Sequence, residues 1–150
     1  MKQLPQLIYQ LKSKAQITGI DNVLEILAEF ETYRGDDWKT YFEKKEPTNV
    51  LLLLESDLKL TLIYWPAFQK SNKHKHPPGG GLMRVLSGQL QETRFDPTNP
   101  EKELGKYECP TGALTYIHDE LALHVVENPN RMPAVSLHVY ALRDVGGKVL

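Results

Sequence analysis

The sequence contains one cysteine, no long apolar run and no excess of charge of either sign, and each absence excludes a class of protein. Cys109 cannot form a disulfide within the chain, which is typical of the reducing cytosol, and we interpret it as a small core residue. The longest apolar run lies within residues 49–55 and is far shorter than the roughly 20 residues of a membrane-spanning helix. The amino terminus lacks the continuous apolar core of a secretory signal. We therefore predict a cytoplasmic protein without a membrane partner.

The charges are nearly balanced, with 18 basic and 19 acidic residues and a formal net charge of −1. This balance gives no electrostatic reason to expect a nucleic acid as partner. With 41% hydrophobic and 25% charged residues, the composition is that of a globular protein. A chain of 150 residues can bury one sizeable core, and the sequence contains no linker or repeat. We predict a single domain over residues 1–150.

The first third of the chain has the periodicity of amphipathic helices. Apolar residues recur at helical spacing in two stretches, residues 4–11 and residues 21–33. Asp21 is the predicted N-cap of the second helix. A third, shorter helix is predicted over residues 38–44. We expect two or three α-helices that form a packing layer over residues 1–46.

After this layer the pattern changes to short segments, many of which alternate apolar and polar residues. Turn-rich stretches separate them, and seven or more strands at near-regular spacing favour an antiparallel sandwich or barrel. We therefore predict a mainly β protein in which the helical layer packs on a β-barrel over residues 47–150. The predicted strands cover residues 58–65, 81–88, 90–95, 102–109, 113–118, 121–128 and 134–142.

Two histidines, His74 and His76, are two residues apart in the segment KHKHPPGGG. In an extended chain, residues i and i+2 point to the same side, so both imidazoles can reach one ion while Lys75 points away. On a helix the same spacing would place them on nearly opposite sides. The alternative interpretation is a basic surface loop that happens to contain histidine.

Two further histidines lie in predicted strands. His124 is the polar residue of an apolar segment, where it is either a hydrogen-bonded core residue or a third ligand for the same ion. Ser136, His138 and Tyr140 share one face of a strand, because they are spaced two residues apart. This polar stripe faces either the barrel interior or solvent.

Taken together, these segments resemble the two cupin motifs as they occur in the cysteine dioxygenase family of thiol dioxygenases. The pattern is His-x-His followed by two glycines, then His-x-x-x-Asn, then Ser-x-His-x-Tyr, and LSGQLQETRF is similar to the strand after the first motif. The resemblance runs from about residue 65 to residue 140. The residues that carry it are His74, His76, Gly81, Gly88, His124, Asn128, Ser136, His138 and Tyr140.

The resemblance implies a cupin-type, jelly-roll-like antiparallel β-barrel that binds iron(II), Fe(2+). By this resemblance His74, His76 and His124 are the metal ligands. Three neutral imidazoles leave the +2 charge of the ion uncompensated, which suits a substrate that arrives as an anion. A thiol with a free pKa of about 8.5 loses its proton on such a metal. Both atoms of dioxygen would then be added to sulfur to give a sulfinate.

The same resemblance implies that Ser136, His138 and Tyr140 are catalytic. Tyr140 would hydrogen-bond the bound oxygen or the substrate carboxylate, and His138, oriented by Ser136, would hold the tyrosine hydroxyl. Trp65 resembles a substrate-binding residue of the pocket wall, and its alternative role is plain core packing.

Three family features are missing from this sequence, and one of them is the Ser-Pro-Pro that usually follows the tyrosine, where this chain has ALRDV. Gly81 stands where the animal enzymes have a cysteine that forms a thioether with the tyrosine, as in bacterial members, so no cross-link is expected. The arginine or glutamine that anchors the substrate carboxylate would fall on Thr48. A guanidinium is the strongest carboxylate clamp, so its absence bears on the substrate. Other cations that could replace it are Arg84, Arg94, Arg143 and Lys45.

The leading functional prediction is an iron(II)-dependent dioxygenase whose partners are a small thiol, with cysteine first, and dioxygen. One alternative is a dioxygenase of 3-mercaptopropionate or another small thiol. Another is a cupin that binds metal without catalysis, and a third is a structural zinc site, which is usually four-coordinate and rich in thiolates. We expect a monomer or a homodimer.

Overall fold

A helical amino-terminal segment precedes eight strands in the computed structural model. No helix in the part of the chain that it describes is long and apolar enough to cross a membrane. Lys45 and Lys75, which the sequence analysis named, lie outside that part. The described residues are 2–42, 48–74, 76–118 and 121–143.

The first helix, α1, spans Leu4–Thr18 and begins with a proline in its first turn, where the missing N–H costs nothing. It ends at Gly19, whose φ of 71° lies in the region that glycine adopts readily. One stripe of the helix is buried, and it consists of Leu4, Leu7, Leu11 and Ala15.

The second predicted helix is divided in two. A 3₁₀ helix covers Val23–Ile26, and α2 covers Leu27–Glu31. The division falls at Ile26, whose φ of −114° and ψ of 14° depart from α-helical values. The third predicted helix is also a 3₁₀ helix, over Asp37–Phe42, and the rest of its predicted range lies outside the described residues.

The predicted N-cap at Asp21 is wrong by one residue. Asn22 is the cap, because its side chain accepts a hydrogen bond from the backbone N–H of Leu24 at 2.9 Å. Glu25 completes a capping box by accepting from the backbone N–H of Asn22 at 2.6 Å. Asp21 instead forms an exposed ion pair with Arg143.

All seven predicted strands are present, each within two residues of its predicted ends. The eighth, β1, forms from the apolar run near residue 50, which the alternation pattern did not reveal. The strands are β1 Asn49–Leu54, β2 Leu58–Trp65, β3 Gly81–Ser87, β4 Leu90–Phe95, β5 Glu103–Cys109, β6 Leu114–Ile117, β7 Leu123–Glu127 and β8 Ala134–Ala141.

The strands form two antiparallel sheets, which confirms the predicted mainly β, antiparallel class. The five-stranded sheet has the order β1-β2-β8-β3-β6, and the three-stranded sheet has the order β5-β4-β7. Apolar residues of both sheets pack together between them. No named strand of one sheet pairs with a named strand of the other in the described chain, so the barrel is open at its sides. We call the space between the sheets the barrel interior.

Strand β8 shows how alternation sorts side chains between two cores. Val135, Leu137 and Val139 belong to the core that the five-stranded sheet forms with the helices. Ala134 belongs to the core of the barrel interior, so the residues of its parity, Ser136 among them, point inward. Each fully buried aliphatic side chain contributes about 1.5–3 kcal/mol, so this helix-facing surface is a main source of stability.

Apolar side chains fill one end of the barrel interior. Polar and charged residues of β4, β7 and β8 occupy the rest, and this polar end contains the candidate site. Cys109 lies in the apolar end with 1% of its surface exposed, as predicted for a core residue. The apolar end consists of Trp65, Met83, Val85, Leu90, Cys109, Val126 and Ala134.

Burial, with smaller contributions from the nearby Glu92 and Glu108, raises the pKa of Cys109 to about 11. At pH 8 only roughly 0.1% of such a thiol is the reactive thiolate. We therefore expect native protein to react at least about 100-fold more slowly with an aromatic disulfide reagent than protein unfolded in guanidinium, which should titrate one thiol per chain. Equal rates for the two forms, followed by absorbance, would contradict this burial.

Candidate metal centre

Three histidines converge at the polar end of the barrel interior. Nε2 of His124 lies 2.8 Å from Nε2 of His76 and 3.0 Å from Nε2 of His74. The candidate ligand atoms of the three residues all lie within 4.8 Å of one another. The structure therefore brings together the three side chains that the sequence analysis named as metal ligands.

The connection between β2 and β3 brings two of these histidines to β7. It runs antiparallel to β7, with the N–H of Ser71 donating to the carbonyl of Val126 at 2.8 Å. Further along, the N–H of His74 donates to the carbonyl of His124 at 3.2 Å. The rings of His74 and His76 lie on one side, with centroids 5.1 Å apart.

The outward nitrogens of two of the rings are held by hydrogen-bond acceptors. Nδ1 of His74 lies 2.7 Å from the carbonyl oxygen of Asn72, and Nδ1 of His124 lies 2.7 Å from Oε2 of Glu92. Each Nδ1 must then carry the proton, so in the neutral rings each Nε2 presents a lone pair. Two lone pairs that face each other at 3.0 Å repel unless a cation lies between them. The donor set therefore fits a bound metal ion.

Burial favours the neutral, ligating form of these imidazoles. It lowers the pKa of His76 to about 2, together with the smaller effects of the adjacent His124 and His74. Burial also lowers the pKa of His124, although Glu92 acts in the opposite direction. Neutral imidazole is the form that binds metals, so the cluster is poised for a cation rather than for protons.

Glu92 is a site residue that the sequence analysis missed. It is 1% exposed, and its second carboxylate oxygen accepts from Nε of Arg94 at 2.8 Å. Burial alone would raise the pKa of Glu92, but hydrogen bonds from His124 and Arg94 bring it below its usual value, so the carboxylate is ionised. Alternation along β4 could have revealed Glu92 in the sequence, because residues 90, 92 and 94 share the interior face of that strand.

The stripe on β8 faces the interior and forms a hydrogen-bonded chain with β2. Nε1 of Trp65 donates to Oγ of Ser136 at 2.8 Å, and this Oγ lies 2.6 Å from Nε2 of His138. Nδ1 of His138 lies 3.2 Å from the hydroxyl of Tyr140, and the two rings are stacked. Ser136 and His138 are buried, so the solvent-facing alternative is excluded.

The chain of hydrogen bonds determines which way Tyr140 points its proton. All groups are satisfied when Ser136 donates to Nε2 of His138, because Nδ1–H then donates to the oxygen of Tyr140. Burial lowers the pKa of His138 to about 3 and raises that of Tyr140 to about 12. His138 is therefore neutral, and Tyr140 keeps a proton that it can donate to a bound molecule.

The motif glycine and asparagine have structural roles. A Cβ at Gly81 would lie 2.9 Å from two carbons of the Tyr140 ring, so glycine allows the ring to lie against β3. The side-chain amide of Asn128 donates to the backbone carbonyls of Trp65, at 3.2 Å, and Met132, at 2.8 Å. Asn128 thereby fixes the loop after β7 to the end of β2.

The sequence analysis named four cations that could replace the missing carboxylate-binding arginine, and the structure supports none of the described ones in that role. Arg84 lies opposite Leu137 in the β3–β8 ladder and so points to the helices, away from the histidines. Arg143 lies at the exposed ion pair described above, and Lys45 is outside the described residues. Arg94 faces the interior, but its guanidinium is already paired with Glu92.

Lys59 is a further interior-facing cation that the sequence analysis missed. It lies directly opposite Tyr140 in the β2–β8 ladder, next to the pair of Thr61 and His138. Side chains at such positions have Cβ atoms about 4.5–5.5 Å apart. Lys59 is exposed, and it forms no hydrogen bond or ion pair in the described chain. Alternation along β2 could have revealed Lys59 in the sequence, because it lies an even number of residues from Trp65 and so shares its face of the strand.

The fold of the chain is that of a cupin. It is similar to a crystal structure of a protein from Bacillus halodurans, with a TM-score of 0.62, 16% identity and coverage of 73% of this chain and 80% of that one. A cupin superfamily protein from Desulfitobacterium hafniense gives a TM-score of 0.52, with 12% identity over 63% of this chain and 76% of that one. At these identities the likeness shows the fold alone, and it confirms the predicted cupin class.

A sequence model of the family cysteine dioxygenase type I matches residues 1–142. Cysteine dioxygenase type 1 of Danio rerio is 32% identical over 146 residues, which are 87% of this chain and 72% of that protein. The human protein of the same name is 32% identical over 130 residues, 80% of this chain and 65% of that protein. The chain belongs to the cysteine dioxygenase type I family, which confirms the resemblance and the class of enzyme, a thiol dioxygenase.

Glu92 orients His124, so its removal should weaken metal binding. We expect Glu92→Gln to lower the affinity for metal by about 10–100-fold, the range typical of groups that hold a ligating imidazole. Glu108→Gln is the matched control, because Glu108 is exposed on β5 and bonds to glutamine side chains. Metal titration of the two variants measures the effect. Wild-type affinity in Glu92→Gln would show that Glu92 does not support the centre.

Proposed function

We propose that this chain is an iron(II)-dependent dioxygenase that converts a small thiol into its sulfinate. Cysteine is the first candidate substrate, and 3-mercaptopropionate is the next. The observation that carries the proposal is the convergence of the Nε2 atoms of His74, His76 and His124 while the outward nitrogens of His74 and His124 are hydrogen-bonded. Iron(II) bound there would supply the binding of thiolate and dioxygen. The cytoplasmic location and a monomeric or homodimeric state remain predictions.

The spacing of the nitrogens supports an open site rather than a structural zinc site. With metal–nitrogen bonds of about 2.1 Å, neighbouring ligands are about 3.0 Å apart at right angles and about 3.4 Å apart in a tetrahedron. Nε2 of His124 lies 2.8 Å from Nε2 of His76 and 3.0 Å from Nε2 of His74. Both separations are nearer to the right-angle value, which suits an octahedral ion that keeps positions for other molecules, as in non-haem iron oxygenases.

The charges around the centre favour an anionic substrate. Three neutral imidazoles bring no negative charge, and the nearby carboxylate of Glu92 is balanced by Arg94 at 2.8 Å. The positive charge of the metal is therefore left for the substrate, and a thiol binds as its thiolate.

Tyr140 is the proposed proton donor at the open face. Its hydroxyl, oriented by His138, keeps its proton and can hydrogen-bond a bound thiol's polar group or an oxygen atom. Ser136 fixes the ring of His138, and the indole N–H of Trp65 fixes Ser136. Trp65 thus serves both as pocket wall and as the first member of this chain.

Lys59 is the proposed partner of the substrate's acidic group. It is the interior-facing cation without a counterion in the described chain, and it lies across from Tyr140. A thiol with a carboxylate could therefore place its sulfur at the metal and its acid between Lys59 and Tyr140. The amino group of lysine serves as a point charge, so it selects for charge more than for carboxylate geometry.

The reaction balances without another reductant. The thiol sulfur loses its bond to hydrogen and gains two bonds to oxygen, while the O–O bond breaks. Sulfur is oxidised by four electrons, and these are the four that reduce dioxygen. The thiol proton remains with the product sulfinic acid or passes to solvent.

Protein loaded with iron(II) should consume one dioxygen per thiol. We expect oxygen uptake with cysteine or 3-mercaptopropionate, and a product whose mass is that of the thiol plus two oxygen atoms. An oxygen electrode and mass spectrometry measure these. No uptake by iron-loaded protein with any thiol of a broad panel would refute the enzyme and favour a metal-binding cupin without catalysis.

Two substitutions separate metal binding from turnover. His124→Ala should lose most of its iron, since it removes one of three ligands. Tyr140→Phe should retain iron but turn over on the order of 10²-fold more slowly, because a positioned proton donor is lost. Tyr9→Phe, at an exposed position of α1, is the matched control and should behave as wild type. Full iron retention by His124→Ala would refute the ligand assignment.

Replacing Lys59 should affect only acidic thiols. We expect Lys59→Met to raise KM for cysteine and 3-mercaptopropionate by about tenfold. This is less than the loss of a buried charged hydrogen bond would cause, because solvent weakens the contact of an exposed lysine. Turnover of cysteamine, which has no carboxylate, should not change. Lys12→Met on the exposed surface of α1 is the control. An equal rise in KM for both kinds of thiol, or no rise, would exclude Lys59 as the anchor.

A further inference from the structure

A small cavity lies on the other side of the five-stranded sheet from the histidines. Its volume is about 150 Å³, and it is bounded by the loop that follows α2, by β3 and by the turn before β6. Arg34 of the loop and Arg84 of β3 both line it, together with the ring of Trp38. No acidic residue lines this cavity in the described chain.

Arg84 is buried without the partners that a guanidinium requires. It is 6% exposed, and its Nε is buried with no hydrogen-bond acceptor. Within the described residues, its hydrogen bond runs from Nη2 to the carbonyl of Glu31 at 3.5 Å, the outer limit of such a contact. A guanidinium has five N–H donors, so most of the donors of Arg84 have no acceptor among those residues.

Arg34 adds a second positive charge to the same cavity. Its Nη1 donates to the backbone carbonyl of Tyr33 at 3.1 Å, and neither arginine forms an ion pair in the described chain. Burial lowers the pKa of Arg84, and the charge of Arg34 lowers it further, while Glu31 acts in the opposite direction. The two guanidiniums therefore repel each other in the absence of a counterion.

The carboxylate of Asp37, which precedes Trp38 in sequence, is occupied elsewhere. Asp37 accepts from the hydroxyl of Tyr33 at 2.7 Å and from the backbone N–H of Leu4 at 2.8 Å. Both of its oxygens thus serve to fix the amino-terminal helix to the loop. The protein supplies two cations to this cavity and directs this acid away from it.

We propose that the cavity between Arg34 and Arg84 is a binding site for a small oxyanion, separate from the metal centre. Guanidinium groups bind phosphate, sulfate and carboxylate through paired N–H donors, and the volume suits one such group. A bound anion would satisfy Arg84 and screen its repulsion from Arg34. It would also connect the helical layer to β3, the strand next to β8, so its binding stabilises the folded chain.

The test is thermal unfolding of iron-loaded protein in inorganic phosphate. A ligand that binds only the folded state stabilises it by RT ln(1 + [L]/Kd), so the melting temperature should rise with phosphate and exceed that in chloride at equal ionic strength. Calorimetric titration of phosphate should give one site per chain. Arg34→Gln should lose this site, whereas Arg131→Gln, at an exposed position on the β7–β8 loop, should keep it. Arg34 is exposed, so its replacement should not prevent folding.

Phosphate could also bind at the metal, and His124→Ala distinguishes the two places. The proposal requires that His124→Ala still bind one phosphate and that its melting temperature still rise. Binding that disappears in His124→Ala would assign the phosphate to the metal centre and refute the proposal. Retention of the site in Arg34→Gln, or no difference between phosphate and chloride for the wild type, would also refute it.

Discussion

The hydrogen bond between Glu92 and Nδ1 of His124 is the interaction on which the candidate centre depends. It joins β4 to β7 inside the barrel and determines which nitrogen of His124 faces the other two histidines. If this ring presented Nδ1 instead, its Nε2 would point away from the shared position. The ionised carboxylate is tolerated at a buried position because Arg94 balances its charge from the same face of β4.

The two faces of β8 differ in polarity, and this difference explains how a small protein keeps a polar barrel interior. The face toward the helices is apolar and belongs to the larger core, while the other face carries Ser136, His138 and Tyr140. Burial of these polar side chains is compensated by their hydrogen bonds to one another and to Trp65. Stability is therefore supplied mainly outside the barrel, and the interior is left for chemistry.

Most of the strands and the three histidines of the site could be predicted from the sequence, and the features that were not predicted have physical causes. Alternation located the strands and the stripe on β8, but β1 is a continuous apolar run that has no period of two. The three histidines were identified from spacing and resemblance. Alternation could have placed Glu92 and Lys59 on interior-facing positions, but their partners depend on the register across strands, which the sequence does not give. The same limit left open which arginines face inward.

The position of β8 makes local unfolding more costly for some site residues than for others. β8 lies between β2 and β3, and Asn128 fixes the end of β2. Ser136, His138 and Tyr140 can therefore leave their positions only when the hydrogen bonds of two strand pairs break. His74 and His76 lie instead on a connection held to β7 by isolated bridges. Fluctuations of that connection cost less than unfolding of the sheet. Entry and escape of the metal can therefore proceed at a low local cost, while the hydrogen-bonded residues beside it stay in place.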